Sequence, residues 1–386
     1  MSIQVNVPAS IPVLRWAAAR AGLHDDKLTA RFPKWPLWLN NEAQPTLRQL
    51  EEFAHVTNTS IGYFFLPEPP VLTLPVPDFR TLRDESLAMP SSNLLDTIYL
   101  CQQRQDWYRD YARLQGLSTL SVVGSATVRD APAAVAQQMY AWLDLSMDDR
   151  RQSLTWIDAL RQLITKIDDA GVMVMVSSVV GSNSHRKLDV NEFRGFVLAD
   201  PLAPLIFLNG ADSKAAQMFT LAHELAHLWL GASGVSNVLA DQVPAQQTER
   251  WCNQVAAEFL MPLHALRATY QPDNLIPAEA QRLAREFRVS TLVALRRMFD
   301  AGFIDQATLW QHYRQEEERL RALKDQSRAG GDFYRSLGAR TSKRFTRAVV
   351  ISTLEGQTLF RDAFRMLGMR KSATFYEAAR TVGVIA

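Results

Sequence analysis

Three short apolar segments run directly into one long helical stretch, and that succession limits the folds open to the chain. GVMVMVSSVV, FRGFVLAD and PLIFLNG are rich in Val, Ile and Phe and bounded by Gly, Asn, Asp or Pro, the mark of strands. The residues that follow, SKAAQMFTLAHELAHLWLG, read as a long helix closed by Gly231, since glycine accepts the left-handed conformation that ends a helix. Most other segments carry apolar residues at helical spacing. The predicted fold is therefore α+β and mostly helical. A small sheet of three strands or slightly more packs on one helix, with helical domains on both sides.

The N-terminal segments IPVLRWAAARAG, DKLTARF, PTLRQLEEFAHVTN and SIGYFFL read as short helices, with starts at Pro45 and Thr46 and at Ser60. LPEPPVLTLPVPD then places five prolines between Leu66 and Asp78, which removes backbone donors and blocks helix, so an extended strap is expected. NLLDTIYLCQQRQDWYRDYARL, PAAVAQQMYAWLDL and SLTWIDALRQLITKIDDAG are helical again, and ERWCNQVAAEFLMP is a helix that Pro262 stops. Beyond it, PAEAQRLAREFRVSTLVALRRMF has a helix-turn-helix rhythm with Val289 and Ser290 at the turn, and RQEEERLRALKD reads as a solvated face. A chain of 386 residues exceeds one ordinary core. The expected division is a helical unit over 1–66, a linker over 67–90, a central domain over 91–264 and a helical domain over 265–386.

Charge is nearly balanced, 42 basic against 40 acidic residues, which removes any whole-protein argument for nucleic acid or an anionic membrane. No stretch is long and apolar enough to span a bilayer, and MSIQVNVPAS lacks the pattern of a signal peptide. With only two cysteines, Cys101 and Cys252, reduced thiols in a cytoplasmic protein without a membrane partner are expected. Absence of a CxxC pair leaves histidines and carboxylates as the candidate metal ligands.

TLAHELAHLWLG supplies them. His223 and His227 are four apart, so on a helix both imidazoles lie on one face and can reach one ion. Zn2+ suits neutral imidazole and tolerates three protein ligands with one open position. Glu224, turned about 100° from His223, would flank the metal and take a proton from a metal-activated water. The competing reading is a plain helix with two satisfied core histidines. A third ligand must come from the next helix, where Glu249 and Glu258 are nine residues apart and so on opposite sides; only one can face the metal. Asn253 shares the face of Glu249, while Val255, Ala256, Ala257 and Phe259 would pack on the histidine helix. His264 is a candidate for polarising a substrate carbonyl or a plain surface histidine, and His185 sits in a polar segment expected to face solvent. PLIFLNG reads as an edge strand to which an extended peptide could add, or as a core strand.

AHELAHLWLG followed by ERWCNQVAAEFLMP resembles the ImmA/IrrE family of zinc-dependent metallo-endopeptidases, as do FRGFVLADPLAPLIFLNG and the earlier DFRTL over 78–82. The likeness is ordered over roughly 78–262 and extends to AREFRVSTLVALRRM and to GGDFY over 330–334. It implies a zincin-like metallopeptidase domain with His223, His227 and Glu249 on Zn2+ and Glu224 as general base; Glu249 stands three residues before the Cys252–Asn253 pair, where that family carries its third ligand. It further implies a protein substrate, an Xre-type transcriptional repressor cut in a stress or mobile-element response.

The N-terminal segments resemble the helix-turn-helix unit of Xre-type repressors, which allows a homodimer. Between LTARF and PTLRQL, however, stands PKWPLWLNNEAQ, whose prolines and tryptophans do not make an uninterrupted recognition helix. Protein recognition is favoured there over DNA. The alternative for the whole chain is a DNA- or protein-binding transcriptional regulator, antitoxin-like, with a structural metal site; a third reading keeps the site intact but the protease latent.

Overall fold

The computed structural model describes residues 6–79, 89–146, 155–237, 246–326 and 340–385. The chain divides into two units, Met1–Pro75 with Asp84–Asp96, and Val76–Arg83 with Thr97–Ala386.

In the first unit the helices are α1 (Ile11–Arg20), α2 (Asp25–Arg31), α3 (Trp35–Leu39) and α4 (Leu47–Thr57), followed by a 3-10 turn, Ile61–Phe65. Helix α4 begins where the sequence places a start: the Gln49 amide donates to the Thr46 hydroxyl at 3.3 Å, and the Thr46 amide donates to the Gln49 side chain at 2.9 Å. The proline-broken segment yields only the five-residue α3, and both its tryptophans face inward. Trp35 stacks on Phe53 at 5.2 Å, and Phe32, Trp38 and Phe64 complete the aromatic core.

The second unit holds residues of α5 (Ser92–Leu114) from Thr97 on, then α6 (Pro132–Trp142), α7 (Trp156–Asp169), β1 (Met173–Ser177), β2 (Val179–Val180), β3 (Asn183–Lys187), β4 (Gly195–Leu198) and β5 (Leu205–Asn209). Next come α8 (Lys214–Leu230), β6 (Gly234–Ser236), α9 (Gln247–Leu260), α10 (Leu263–Thr269), α11 (Ile276–Phe287), α12 (Thr291–Asp300) and α13 (Gln306–Gln326). Helices α14 (Lys343–Leu354), α15 (Phe360–Leu367) and α16 (Ser372–Thr381) end the unit. The sheet order is β1-β5-β4-β6, with β1 parallel to β5 and the remaining pairs antiparallel; β2 and β3 form a separate hairpin.

That order corrects one expectation. PLIFLNG is β5, paired on both sides by β1 and β4 and buried along its whole length, so it is an interior strand and offers no edge. The edge beside β4 is β6, and residues 77–79 of the proline-rich stretch extend it: the Phe79 amide donates to Val235 O at 2.9 Å, and the Val235 amide to Pro77 O at 3.0 Å. The rest of DFRTL, and GGDFY, lie outside the described residues.

Helix α8 is apolar on nearly all its faces and is accordingly enclosed on nearly all of them, against β4, β5, α7 and α9. The Ser213 hydroxyl accepts the Ala216 amide at its start, and Gly231 at φ +65° ends it. Near the C-terminus, Asp168 at the end of α7 accepts the Arg344 amide at 2.7 Å and the Ser342 hydroxyl, which anchors α14. The helix-turn-helix rhythm corresponds to α11 and α12; Val293, Ala294, Leu295, Arg297 and Met298 of α12 are buried, while Leu292, Arg296 and Phe299 are partly buried and Asp300 is exposed. No described helix is long and apolar enough to cross a membrane.

Candidate metal centre

Two helices build the site. On α8, His223 and His227 stand one turn apart with their Nε2 atoms 3.1 Å from each other. From α9 the Glu249 carboxylate reaches between them, Oε1 at 2.8 Å from His227 Nε2 and Oε2 at 3.2 Å from His223 Nε2. Both histidines are 0% exposed and Glu249 is 3% exposed. Among the described residues these three form the group able to offer one ligand atom each to a common ion.

The donor chemistry fits a divalent cation. Ligand atoms held at about 2.1 Å in a tetrahedral site stand roughly 3.4 Å from one another, and the three separations here, 3.1, 3.2 and 2.8 Å, are somewhat tighter. Two imidazole nitrogens facing each other can share at most one proton. Glu249 Oε1, although 2.8 Å from His227 Nε2, completes no hydrogen bond. Electron pairs converge here with too few protons between them, which is the arrangement a cation satisfies. Burial would push the Glu249 carboxyl up, but the two histidines beside it, His223 foremost, outweigh it and hold it at about 2. Burial also pushes the His227 imidazole below its ordinary value, with Glu249 opposing. Ionised carboxylate and neutral imidazole are the states that ligate metals.

Glu258, the other candidate carboxylate, is absent from the cluster. Its Oε1 accepts from Arg297 Nη2 at 2.6 Å and its Oε2 from the Leu263 amide at 3.4 Å. His264 is exposed on α10, and His185 is exposed on the short strand β3. Neither joins the group.

Glu224 is completely buried beside the site, and neither carboxylate oxygen has a hydrogen-bond partner among the described residues. Burial pushes its carboxyl well above the ordinary value, the Glu249 carboxylate adds to that, and the nearby Ser236 hydroxyl opposes weakly without completing a hydrogen bond. Gly195 at the start of β4 makes room for it: a Cβ there would lie 3.0 Å from Glu224 Oε1 and 2.7 Å from Thr220 Cγ2. Cys252 behind Glu249 is buried, and burial, followed by the Glu249 and Glu224 charges, pushes its thiol far up.

Phe79 also lies against the site. Its ring stacks on His227 with centroids 5.4 Å apart and planes 9° from parallel. Its one sequence signal is the DFRTL stretch, which resembles the family but names no contact.

Residues 341–381 match a model described as a domain of unknown function, DUF8813. No curated protein matches the chain. Residues 167–299 match the model described as the IrrE N-terminal-like domain, Peptidase_M78, which supports a metallopeptidase-type function. That span runs from the end of α7 through the sheet, both site helices and α12. Residues 167–299 thus form a Peptidase_M78 domain, the match that the ImmA/IrrE resemblance predicts for this part of the chain.

Proposed function

We propose that the protein is a zinc endopeptidase that cuts a protein regulator, with His223, His227 and Glu249 holding the ion and Glu224 as general base. The observation that carries this reading is the convergence of two Nε2 atoms and one carboxylate in a buried site next to a second carboxylate without a hydrogen-bond partner among the described residues. Zn2+ bound there supplies Lewis-acid polarisation of a peptide carbonyl and acidifies water.

The remaining chemistry belongs to the chain. Neither Glu224 oxygen has a hydrogen-bond partner among the described residues, so one can accept a proton from the attacking water. As the new C–O bond forms and the C–N bond breaks, Glu224 returns that proton to the leaving amine. Its low-dielectric surroundings raise its proton affinity, which suits a group that must take a proton and then give it back. By its likeness to the family, the substrate is an Xre-type repressor, and the N-terminal unit serves protein recognition. The buried tryptophans of α3 favour this over the DNA-binding alternative.

The test incubates zinc-loaded protein with Xre-type repressors and follows cleavage. We expect a chelator to stop it and Glu224→Gln to lower it by roughly 10²–10⁴-fold with zinc content unchanged. Cleavage that persists in Glu224→Gln yet stops with chelator removes the proposed role of that carboxylate.

A further inference from the structure

We infer that Phe79 is a positioning residue for His227, setting the plane of the imidazole by stacking where hydrogen bonding does not; the inference rests on the metal reading of the site. A ligating histidine ordinarily donates its second ring nitrogen to a carboxylate or carbonyl, and that outer contact fixes the tautomer and the ring. His227 Nδ1 is buried and has no such partner among the described residues. Rotation about χ2 of a histidine is broad, so backbone placement alone does not set the plane. Something must hold the ring flat, and the group lying parallel to it is Phe79, 5.4 Å away and tilted by 9°. His223 meets the same imidazole edge-on at 4.8 Å and 66°, so a fixed His227 also bounds the other ligand ring.

Phe79 is itself anchored. Its amide donates to Val235 O and the Val235 amide donates to Pro77 O, a parallel bridge that extends β6 by one short strand. Pro77 can take part because that position contributes only its carbonyl, the one backbone group proline still offers to a ladder. Gly234 completes the fit: a Cβ at that position would fall 2.3 Å from Phe79 Cε2 and 3.2 Å from Pro77 O. A glycine on β6 and an aromatic ring on the added strand are therefore matched parts of one device whose product is the orientation of a ligand on α8. In this account the proline-rich stretch carries a support of the metal centre and is more than a spacer.

The experiment measures Zn2+ affinity of the full chain by competition with a chromophoric chelator, and the visible spectrum of the Co2+-loaded protein. Phe79→Leu and Gly234→Ala are each expected to weaken Zn2+ binding about tenfold, the lower end for loss of an outer contact. Both should also shift the Co2+ bands, while Phe79→Tyr, which keeps the ring, should restore both readouts. Zn2+ affinity within twofold of the wild type in Phe79→Leu, or equal loss in Phe79→Leu and Phe79→Tyr, overturns the inference. If Phe79→Leu does not fold, the wild type decides: a nuclear Overhauser contact between the Phe79 and His227 rings in the zinc-loaded protein is expected, and its absence overturns the inference. Failure of the metal reading looks different, since the wild type would then bind Zn2+ no better than His227→Ala.

Discussion

Glu258 accepts a 2.6 Å hydrogen bond from Arg297, which ties the second acidic residue of α9 to α12 and away from the histidines. Glu249 on the opposite side of the same helix lies 2.8 Å from His227. The two carboxylates should therefore fail differently when removed. Glu249→Ala is expected to empty the site, with Zn2+ affinity down by at least 10²-fold. Glu258→Ala is expected to keep its metal but lose about 3 kcal/mol of stability, because it strands a buried guanidinium that Asp300 and Met261 O only partly satisfy. Metal analysis and urea unfolding of the two variants, side by side, check both halves.

Gly195 permits a carboxylate to stand inside the sheet-helix interface. An added methyl would meet Thr220 Cγ2 at 2.7 Å, Phe207 O at 3.0 Å and Glu224 Oε1 at 3.0 Å. Of these neighbours only the two side chains can yield. We expect Gly195→Ala to cost about 1–3 kcal/mol and to displace Glu224 enough to lower proteolysis while Zn2+ still binds. Adding Thr220→Ser removes the nearest methyl, and should recover part of the stability without recovering the activity. Urea midpoints of the single and double variants, read with metal content, test this.

Much of this was legible in local pattern, and the exceptions share a cause. Segments β1, β4 and β5 announce themselves as branched and aromatic runs, and α8 by its length and its Gly231 stop. The order of the strands depends on pairing between segments far apart, which periodicity cannot express, and so the sequence leaves β5 open as an edge or a core strand when it is interior. Strand β6 has three residues and β3 is polar and exposed, so neither carries an apolar pattern to detect. The spacing of Glu249 and Glu258 says that they oppose each other but not which one faces the histidines. Arg297, from another helix, occupies Glu258. Phe79 and Gly234 fit each other across a similar gap, and no local rule joins them.

Asp200 offers a test by acid. Its Oδ1 accepts the Leu202 and Ala203 amides at 2.9 and 2.7 Å in the β4–β5 turn, and its Oδ2 accepts Arg109 Nε of α5 at 2.8 Å. Burial raises its carboxyl, but the Ala203 amide, Arg109 and the Leu202 amide prevail and hold it below the ordinary value. A depressed carboxyl contributes stability that is present above its unfolded value, about 3.9, and is lost as pH falls through the folded one. Asp200→Asn should therefore be about 1 kcal/mol less stable than the wild type at pH 7. The gap should narrow below about pH 4. Urea unfolding at the two pH values reads it, and a gap that is independent of pH contradicts the assignment.

Trp35 separates two readings of the N-terminal unit. In a DNA-reading module the third helix would present its side chains outward, and removing one would spare the fold while weakening duplex binding. Here Trp35 is buried, stacked on Phe53 at 5.2 Å and 22°, edge-on to Trp38 at 6.2 Å, and donates from Nε1 to Asp25 at 3.0 Å. Trp35→Ala should then cost about 3–5 kcal/mol, the usual range for emptying a core aromatic site. Trp35→Phe keeps most of the stack but loses the bond to Asp25, and because Asp25 stays hydrated the loss should be nearer 1 kcal/mol. Hydrogen exchange followed by mass spectrometry locates the damage: amide protection should fall across α1, α2 and α4 in Trp35→Ala and stay close to wild type in Trp35→Phe. If Trp35→Ala instead leaves protection intact and abolishes binding to a DNA duplex, α3 is a reading surface, and the protein-recognition role proposed for this unit is wrong.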